Sequence, residues 1–336
     1  MGWNCRGGRR RLGRLWRFRF TAPKSVPLDP RVKRFLEALA AAKPRSTLEV
    51  TVAERRAALA ELMQLSGPPH PVERVEQRTL PGLAGALAVR LYTPSGARAA
   101  SLPGLIYFHG GGLVAGTLAT HDPIARALAN SGGCRVISVD YRLAPEHPFP
   151  AALDDALAAL EAVGANPAQY GIDPSRLGVC GDSAGATLAA AAAQAVARSG
   201  SPRLALQVLI CPILDYRRSS ESRRAFGSGY LVDQATLDHD LLNYAPAGTD
   251  PADPRISPLR AGSLAGAPRT LIHTAEFDLV RDDGREYFER LRDAGTAVSY
   301  TCHPGMIHLF YGLGSVIPYA SIAYEQIGSE IRAAFA

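Results

Sequence analysis

The sequence predicts an α/β protein with a mostly parallel central sheet that is covered by helices on both faces. Short apolar runs alternate with helically spaced segments along most of the 336 residues. Such alternation is typical of parallel strands that are joined by helices and buried on both sides. Hydrophobic residues make up 47% of the chain, which is enough for a substantial core. No apolar run reaches the ~18 residues that a membrane span needs, so we expect no stable membrane insertion.

Two amphipathic helices are predicted ahead of the sheet. The first begins at Asp29-Pro30, because Asp caps helices and Pro suits a first turn, and it ends at Lys43-Pro44. The second begins at a capping box, Thr51 to Glu54, and extends to Leu65. We expect residues 28–68 to form part of a helical cap. Packing against the flank of the main domain is an equally compatible alternative.

The sheet is predicted to begin with an antiparallel pair, Val72–Leu80 and Ala86–Tyr92, joined by a turn at Pro81-Gly82. Six more apolar runs are interpreted as strands: Gly104–Phe108, Cys134–Val139, Arg176–Cys180, Leu204–Cys211, Arg269–Ala275 and Ala297–Cys302. Helices are predicted between and after them: Thr120–Asn130, Ala151–Val163, Ala186–Arg198, Arg281–Ala294 and Ala320–Ala334. The pattern changes over residues 213–265, which contain one predicted helix, Asp233–Tyr244. We interpret this stretch as an insertion that contributes to the cap.

The charge of the chain is uneven. The net charge is +6, from 37 basic and 31 acidic residues. Residues 1–24 contain eight basic residues and no acidic one, leaving 29 basic against 31 acidic residues in the remainder. A nucleic-acid or membrane role for the whole protein is therefore poorly supported. Residues 1–27 lack the apolar stretch of a secretory signal and are predicted to be a basic, disordered leader. Peripheral contact with acidic lipid is the alternative.

The five cysteines indicate neither a metal site nor a disulfide framework. Their number is odd, and no pair has the spacing of metal ligands. Cys134, Cys180 and Cys211 lie in or beside apolar runs, as buried thiols do. This usage is typical of a reducing compartment, and we predict a cytoplasmic location.

One motif has the form of a nucleophile elbow. Gly181-Asp182-Ser183-Ala184-Gly185 follows an apolar run and opens onto the long Ala-rich segment. In this setting the serine sits on a sharp strand-to-helix turn with its hydroxyl exposed at the end of the strand. The positive end of the helix dipole then points at the site. The alternative is a glycine-rich turn with no chemistry.

A serine nucleophile needs a base, and the base needs an orienting group. The chain supplies an acidic residue and then a histidine in the required order, each after a predicted strand. Asp278 and His308 are the candidates. The competing acidic residues are Glu276, Asp282 and Asp283, and the competing histidine is His303. Residue types and spacing give His308 only a modest advantage over His303.

A second glycine-rich stretch, His109-Gly110-Gly111-Gly112, precedes the elbow and is called the glycine loop below. Acyl transfer places negative charge on a carbonyl oxygen, and preorganised backbone N–H groups stabilise it. Consecutive glycines can present those groups without obstruction by side chains. A phosphate-binding loop is the alternative, but neither a Lys-Ser/Thr pair nor a dinucleotide fingerprint accompanies it.

Taken together, the motifs resemble the hormone-sensitive-lipase-like family of α/β-hydrolases, in its bacterial esterase branch. They follow the order of that family over residues ~28–336, which is more specific than any one motif. The matching pieces are His109–Gly112, Asp140–Glu146 followed by Phe149–Ala152, Gly181–Gly185, Asp253–Leu259, Asp278–Asp282 and Pro304–His308.

The resemblance implies a serine esterase for small-molecule esters with short to medium acyl chains, working through an acyl-enzyme without cofactor or metal. It implies a catalytic domain over residues 69–212 and 266–336, with a cap from residues 28–68 and 213–265. Residues 140–152 are interpreted as a scaffold for the glycine loop. The implied roles are nucleophile, orienting acid and base for Ser183, Asp278 and His308, and an oxyanion hole from Gly111, Gly112 and Ala184.

Three departures and two alternatives remain at this point. Ala186, Leu113 and Leu309 differ from the residues usual in the family, which puts substrate preference in doubt. An amidase or deacetylase could use the same triad, and a ligand-binding receptor that has lost catalysis is the alternative from another class. The presence of His308 argues against the receptor. The strand Ala297–Cys302 is predicted at a sheet edge, where it could pair with a second copy.

Overall fold

The computed structural model describes residues 26–42, 44–217 and 219–336. Helix α1 (Pro30–Ala41) and helix α2 (Val52–Met63) precede the first strand. The side chain of Asp29 caps α1, and the predicted capping box is present at the start of α2. The two predicted helix starts are therefore confirmed. Most of the predicted leader, residues 1–25, lies outside the described residues.

The described residues form one eight-stranded sheet in the order β1-β2-β4-β3-β5-β6-β7-β8. Strands β1, β2 and β4 pair antiparallel, and all other neighbours pair parallel. The mostly parallel sheet is thus confirmed, with β8 at one edge. The strands are β1 (Arg74–Gly82), β2 (Gly85–Thr93), β3 (Leu102–Phe108), β4 (Arg135–Val139), β5 (Ile172–Asp182), β6 (Leu206–Ile210), β7 (Arg269–Phe277) and β8 (Val298–Ile307).

Helices cover both faces of this sheet. The longer ones follow the strands as predicted, and the short α6 is an addition that the sequence pattern did not reveal. They are α3 (Asp122–Gly132), α4 (Ala151–Ala165), α5 (Ala184–Ser199), α6 (Glu221–Phe226), α7 (Gln234–Tyr244), α8 (Arg281–Asp293) and α9 (Tyr319–Phe335). None of these described helices is both long enough and apolar enough to cross a bilayer.

Strand β3 shows why consecutive residues of the predicted strands are apolar and do not alternate with polar ones. Leu105 and Tyr107 belong to the apolar cluster on the face of α3 and α9, whereas Ile106 and Phe108 belong to the cluster on the face of α4, α5 and α8. Successive side chains of a strand point to opposite faces, so both must be apolar when both faces are buried.

Several predicted boundaries were wrong, and two of these errors change how the chain enters a turn or the site. The turn between β1 and β2 is formed by Leu83 and Ala84, because Pro81 and Gly82 are still paired with β2. Proline is tolerated there since β1 is an edge strand with a free side. The last strand does not end at Cys302 but continues to Ile307, alongside an irregular register in β7. His308 therefore follows a strand directly and does not sit in a loop.

The insertion between β6 and β7 is anchored to the start of α8. Asp282 accepts a hydrogen bond from the backbone N–H of Ser222 at 2.9 Å. Asp283 accepts from the backbone N–H of Leu214 at 3.1 Å and pairs with the buried Arg223 at 3.2 Å. Buried carboxylates need such partners. The two acids that open α8 therefore fix the first part of residues 213–265 to the main body.

Candidate active site

The elbow serine has a strained backbone. Ser183 has φ 52° and ψ −123°, which is unusual for a residue with a side chain. A Cβ at Gly181 would lie 2.2 Å from the carbonyl oxygen of Gly185. One at Gly185 would lie 2.1 Å from that of Phe108. Both glycines are therefore required by close backbone approach. The N–H of Ser183 donates to the carbonyl of Ile210 at 2.8 Å, which helps to hold the turn.

The structure brings Ser183, His308 and Asp278 together in one hydrogen-bonded chain. The Nε2 of His308 lies 2.9 Å from the Oγ of Ser183, and its Nδ1 lies 2.8 Å from Oδ2 of Asp278. The other carboxylate oxygen of Asp278 accepts from the backbone N–H of Val280 at 3.0 Å. The three side chains follow or end β5, β7 and β8, whose carboxyl ends share one edge of the sheet. This arrangement suits a serine nucleophile with a base and an orienting acid.

The competing residues have other partners. Glu276 accepts hydrogen bonds from the backbone N–H groups of Gly305 at 2.9 Å and Val26 at 3.3 Å. His303 stacks on His273, with 3.2 Å between ring nitrogens. Asp282 and Asp283 hold the insertion, as described above. Among the described residues, the acid that contacts His308 is therefore Asp278.

The surroundings of His308 favour its protonated form. Burial alone would lower the pKa of the imidazole, but the charge and hydrogen bond of Asp278 raise it more, and the net pKa is raised. An imidazole with this bias can accept a proton from Ser183 and hold it beside the carboxylate. Only the neutral imidazole could accept that proton, since a base must be unprotonated before it acts.

The glycine loop lies against the elbow, since a Cβ on Gly110 would lie 3.1 Å from the Cβ of Ser183. Gly111 has φ 115° and Gly112 has φ 70°, both in the region that favours glycine. Among the described residues no hydrogen-bond acceptor is found for either N–H. Ala184 is the first residue of α5, so its N–H has no acceptor within the helix and lies at the positive end of the helix dipole. These three N–H groups are available to a developing negative charge.

Asp182 connects the elbow to the glycine loop, a role that the sequence analysis missed. Its fully buried carboxylate accepts from the N–H of Gly110 at 3.0 Å and from the hydroxyls of Tyr107 at 2.5 Å and Tyr311 at 3.0 Å. Burial raises the pKa of Asp182 even though these donors oppose the shift. The available signal was an acidic residue directly after the apolar run at the end of this strand, Leu177–Gly181.

Residues 140–152 brace the glycine loop from the other side, as expected for a scaffold. The hydroxyl of Tyr141 donates to the carbonyl of His109 at 2.6 Å. Arg56 of α2 donates to the carbonyls of Val114 at 2.8 Å and Ala144 at 3.1 Å, and it forms a two-pronged pair with Glu146. The main body therefore holds the glycine loop through Tyr141, and α2 holds the segment directly after the loop through Arg56.

Cys211 was not predicted to lie at the site, but it does. It is fully buried with φ 45°, and its sulfur lies within 4.8 Å of ligand atoms of Asp278 and His308. Burial and the charge of Asp278 raise the pKa of this thiol well above its ordinary value. Metal binding requires a thiolate, which this environment disfavours. The thiol is instead suited to donate a hydrogen bond to Asp278.

The departures from the family pattern also lie close to the site. Leu113 is buried with φ 63°, directly after the glycine loop. Leu309 is buried with φ 62°, directly after His308, and belongs to the same apolar cluster as Met63 of α2. Ala186 is fully buried in the first turn of α5. Their effect on substrate preference stays a prediction.

The chain is similar in sequence to known proteins. A family model for the α/β hydrolase fold matches residues 105–312. Carboxylesterase NlhH of Mycobacterium tuberculosis is 43% identical over 274 residues, covering 79% of this chain and 85% of the relative. Ethyl acetate hydrolase of Pseudomonas putida is 40% identical over 235 residues, covering 69% of this chain and 73% of the relative.

Solved structures give the same result. An ester hydrolase from the metagenome of Lake Arreo superposes with a TM-score of 0.88 at 40% identity, covering 92% of this chain and 99% of the other. The esterase of the hyperthermophilic archaeon Pyrobaculum calidifontis superposes with a TM-score of 0.87 at 34% identity, covering 93% and 100%. The chain belongs to the α/β-hydrolase family, in its hormone-sensitive-lipase-like group of carboxylesterases.

Proposed function

We propose that this protein is a serine carboxylesterase that hydrolyses esters with short to medium acyl chains through an acyl-enzyme. One observation carries the proposal: the hydrogen-bonded chain from Asp278 through His308 ends on the hydroxyl of Ser183, whose backbone is strained. The described residues offer no acceptor for the N–H groups of Gly111 and Gly112. The relatives named as carboxylesterase and ethyl acetate hydrolase support the same class of substrate.

The first half of the reaction acylates the serine. The Oγ of Ser183 attacks the ester carbonyl while Nε2 of His308 takes its proton. Asp278 holds the Nδ1–H of the imidazolium and stabilises its charge. The oxygen that becomes negative is bound by the N–H groups of the glycine loop and of Ala184. Collapse of this intermediate breaks the carbon–oxygen bond, and the alcohol leaves with the proton from His308.

The second half releases the acid. Water enters the place of the alcohol, and His308 takes one of its protons as the oxygen attacks the acyl carbon. The same N–H donors bind the second oxyanion, and the serine leaves with the proton returned by His308. Each step uses side chains, backbone and water, so the proposed reaction needs neither a cofactor nor a metal.

We place the substrate between the catalytic domain, residues 69–212 and 266–336, and a cap from residues 28–68 and 213–265. The two parts of the proposed cap are in contact, with 3.0 Å between the hydroxyls of Thr47 and Thr236. A methyl group of Leu59 in α2 lies 3.0 Å from the position of a Cβ on Gly111. A cap this close to the glycine loop limits the room for the acyl chain.

The test is hydrolysis of p-nitrophenyl esters from acetate to palmitate by wild type and Ser183→Ala. We expect rates that peak at short to medium chains and fall by roughly 10⁴-fold or more in the variant. Ser175→Ala is the matched control, because this serine lies on the same strand but is exposed near its opposite end. A peak at long chains would indicate a lipase-like enzyme. No turnover from folded protein would favour a narrow amidase or a receptor.

We also propose a homodimer through β8 and a cytoplasmic location. The edge position of β8 supports the dimer, although its carboxyl end is occupied by the hydrogen bond from Asp29 N–H to the carbonyl of Gly305, at 3.1 Å. Within the described part of the chain, the stretch of β8 with no strand on its outer side is Val298 to Cys302. A monomeric mass in light scattering would reject the dimer.

The proposed cytoplasmic location is supported by the four described cysteines, which are all free. Recovery of the protein outside the cytoplasmic fraction would reject it.

A further inference from the structure

A carboxylate from the insertion packs directly on the glycine loop. Asp240 of α7 is 2% exposed. Its Oδ2 lies only 1.8 Å from the position that a Cβ on Gly112 would occupy. The carboxylate thus fills the space that a side chain would need there. A buried negative charge is in this way placed against the backbone of a residue whose N–H we assign to oxyanion binding.

The charge of Asp240 has a partner on a different segment of the chain. The guanidinium of Arg55 in α2 approaches Oδ2 to 3.5 Å, and the two side chains are 16% and 3% exposed. Nδ1 of His239 lies 3.4 Å from the other carboxylate oxygen. The Nε of Arg55 is buried, and the described part of the chain supplies no hydrogen-bond partner for it. Two residues 185 positions apart therefore meet beside the glycine loop.

Salt bridges at surfaces contribute little, but this pair is in a different setting. Water is largely excluded here, so charges interact several times more strongly than in solution. An unpaired carboxylate beside Gly112 would repel the negative charge that forms on the substrate oxygen. A cation at 3.5 Å cancels much of that repulsion while the carboxylate keeps its packing contact with Gly112.

We propose that Arg55 and Asp240 are positioning residues that set the anion affinity of the glycine loop. Asp240 fixes the backbone at Gly112, and Arg55 neutralises Asp240 so that the oxyanion is not opposed. The inference rests on the proposed esterase function. It makes an asymmetric prediction: loss of the arginine alone slows the reaction more than loss of both charges.

The experiment compares Arg55→Gln, Asp240→Asn and the double variant with p-nitrophenyl acetate, measuring kcat and KM separately. We expect Arg55→Gln to lower kcat by about tenfold or more while KM changes by less than about threefold. The double variant should recover most of this loss and match Asp240→Asn. Arg45→Gln is the control, because it removes an exposed ion pair, with Glu54, from the same part of the chain and should leave kcat unchanged.

A second readout separates electrostatics from packing. A trifluoromethyl ketone forms a negatively charged tetrahedral adduct with a catalytic serine, so its inhibition constant reports oxyanion binding directly. That constant should rise in parallel with the loss of kcat in Arg55→Gln and return in the double variant. Equal losses in Arg55→Gln and in the double variant would overturn the proposal, because the charge of Asp240 would not be the cause.

Two sets of controls separate a failure to fold from a loss of function. If Arg55→Gln does not fold, Arg55→Lys retains the charge and should keep most of kcat, and a Lys variant that folds but loses tenfold or more would also overturn the proposal. Wild type and Ser183→Ala are assayed in parallel. If the wild type hydrolyses the ester and all variants of Arg55 and Asp240 keep its rate, the proposed role of this pair is wrong but the esterase function stands. A wild type without serine-dependent turnover rejects the proposed function, and the pair with it.

Discussion

Replacing Asp182 with alanine should destabilise the fold and disable the site together. The carboxylate is the acceptor for three buried donors, one of which is the N–H of Gly110 in the glycine loop. The tyrosine hydroxyls can rotate in search of other acceptors, but a backbone N–H cannot. The alanine variant therefore leaves the loop without its link to the elbow.

The size of the effect follows from these contacts. A buried group that loses its hydrogen-bond partner costs ~1–3 kcal/mol. For three such donors the free energy of unfolding should fall by about 3–9 kcal/mol. Asp182→Asn is nearly the same shape and keeps an acceptor for Gly110 and Tyr107. It loses mainly the charged character of the bonds, so we expect a loss of about 1–2 kcal/mol.

Urea unfolding followed by circular dichroism gives the stability of both variants, and p-nitrophenyl acetate hydrolysis gives kcat. Asp182→Ala should lose both stability and kcat, whereas Asp182→Asn should retain a measurable fraction of each. An alanine variant within about 1 kcal/mol of wild type would show that water or a rearrangement satisfies the donors. That result would refute the assigned role of the carboxylate.

Three further predictions concern groups around the serine. Asp278→Asn should shift the acid limb of the kcat/KM profile to lower pH, because the charge that raises the pKa of His308 is lost while the burial that lowers it remains; an unmoved limb would mean that another group titrates. Cys211→Ser keeps a hydrogen-bond donor to Asp278 and should therefore retain a higher kcat than Cys211→Val. Equal kcat values in the two variants would show that the thiol does not contribute to the site. Gly185→Ala should abolish activity and lower the melting temperature, because its Cβ would lie 2.1 Å from the carbonyl oxygen of Phe108; an active, stable variant would contradict the close packing.

Local patterns revealed most of the fold, and they failed where tertiary context decides. The capping box at Thr51 predicted the start of α2 because the signal is contained within four residues. The turn after β1 was placed two residues early, because Pro81 can remain in a strand only where that strand lies at an edge. The position of β1 in the sheet is not visible in the local sequence.

The site shows the same division. Ser183 and the glycine loop are marked by motifs that are contiguous in sequence. Asp240 carries no such mark, since its proximity to Gly112 depends on how the insertion folds back over the sheet. Cys211 was interpreted as an ordinary buried thiol, and only the neighbouring strand β7 places it beside Asp278. Contacts between distant segments are what the sequence pattern cannot supply.

The edge position of β8 determines how the protein should lose its hydrolytic activity under mild stress. His308 follows β8, which among the described strands pairs only with β7 and is otherwise held near its end by the hydrogen bond from Asp29, whereas Ser183 follows the central strand β5. Edge elements open locally at a lower free energy than the core. A small displacement of β8 would separate the base from the nucleophile while the rest of the sheet stays intact. Hydrolytic activity should therefore respond to mild heat or denaturant before any spectroscopic sign of unfolding, and it should return on cooling.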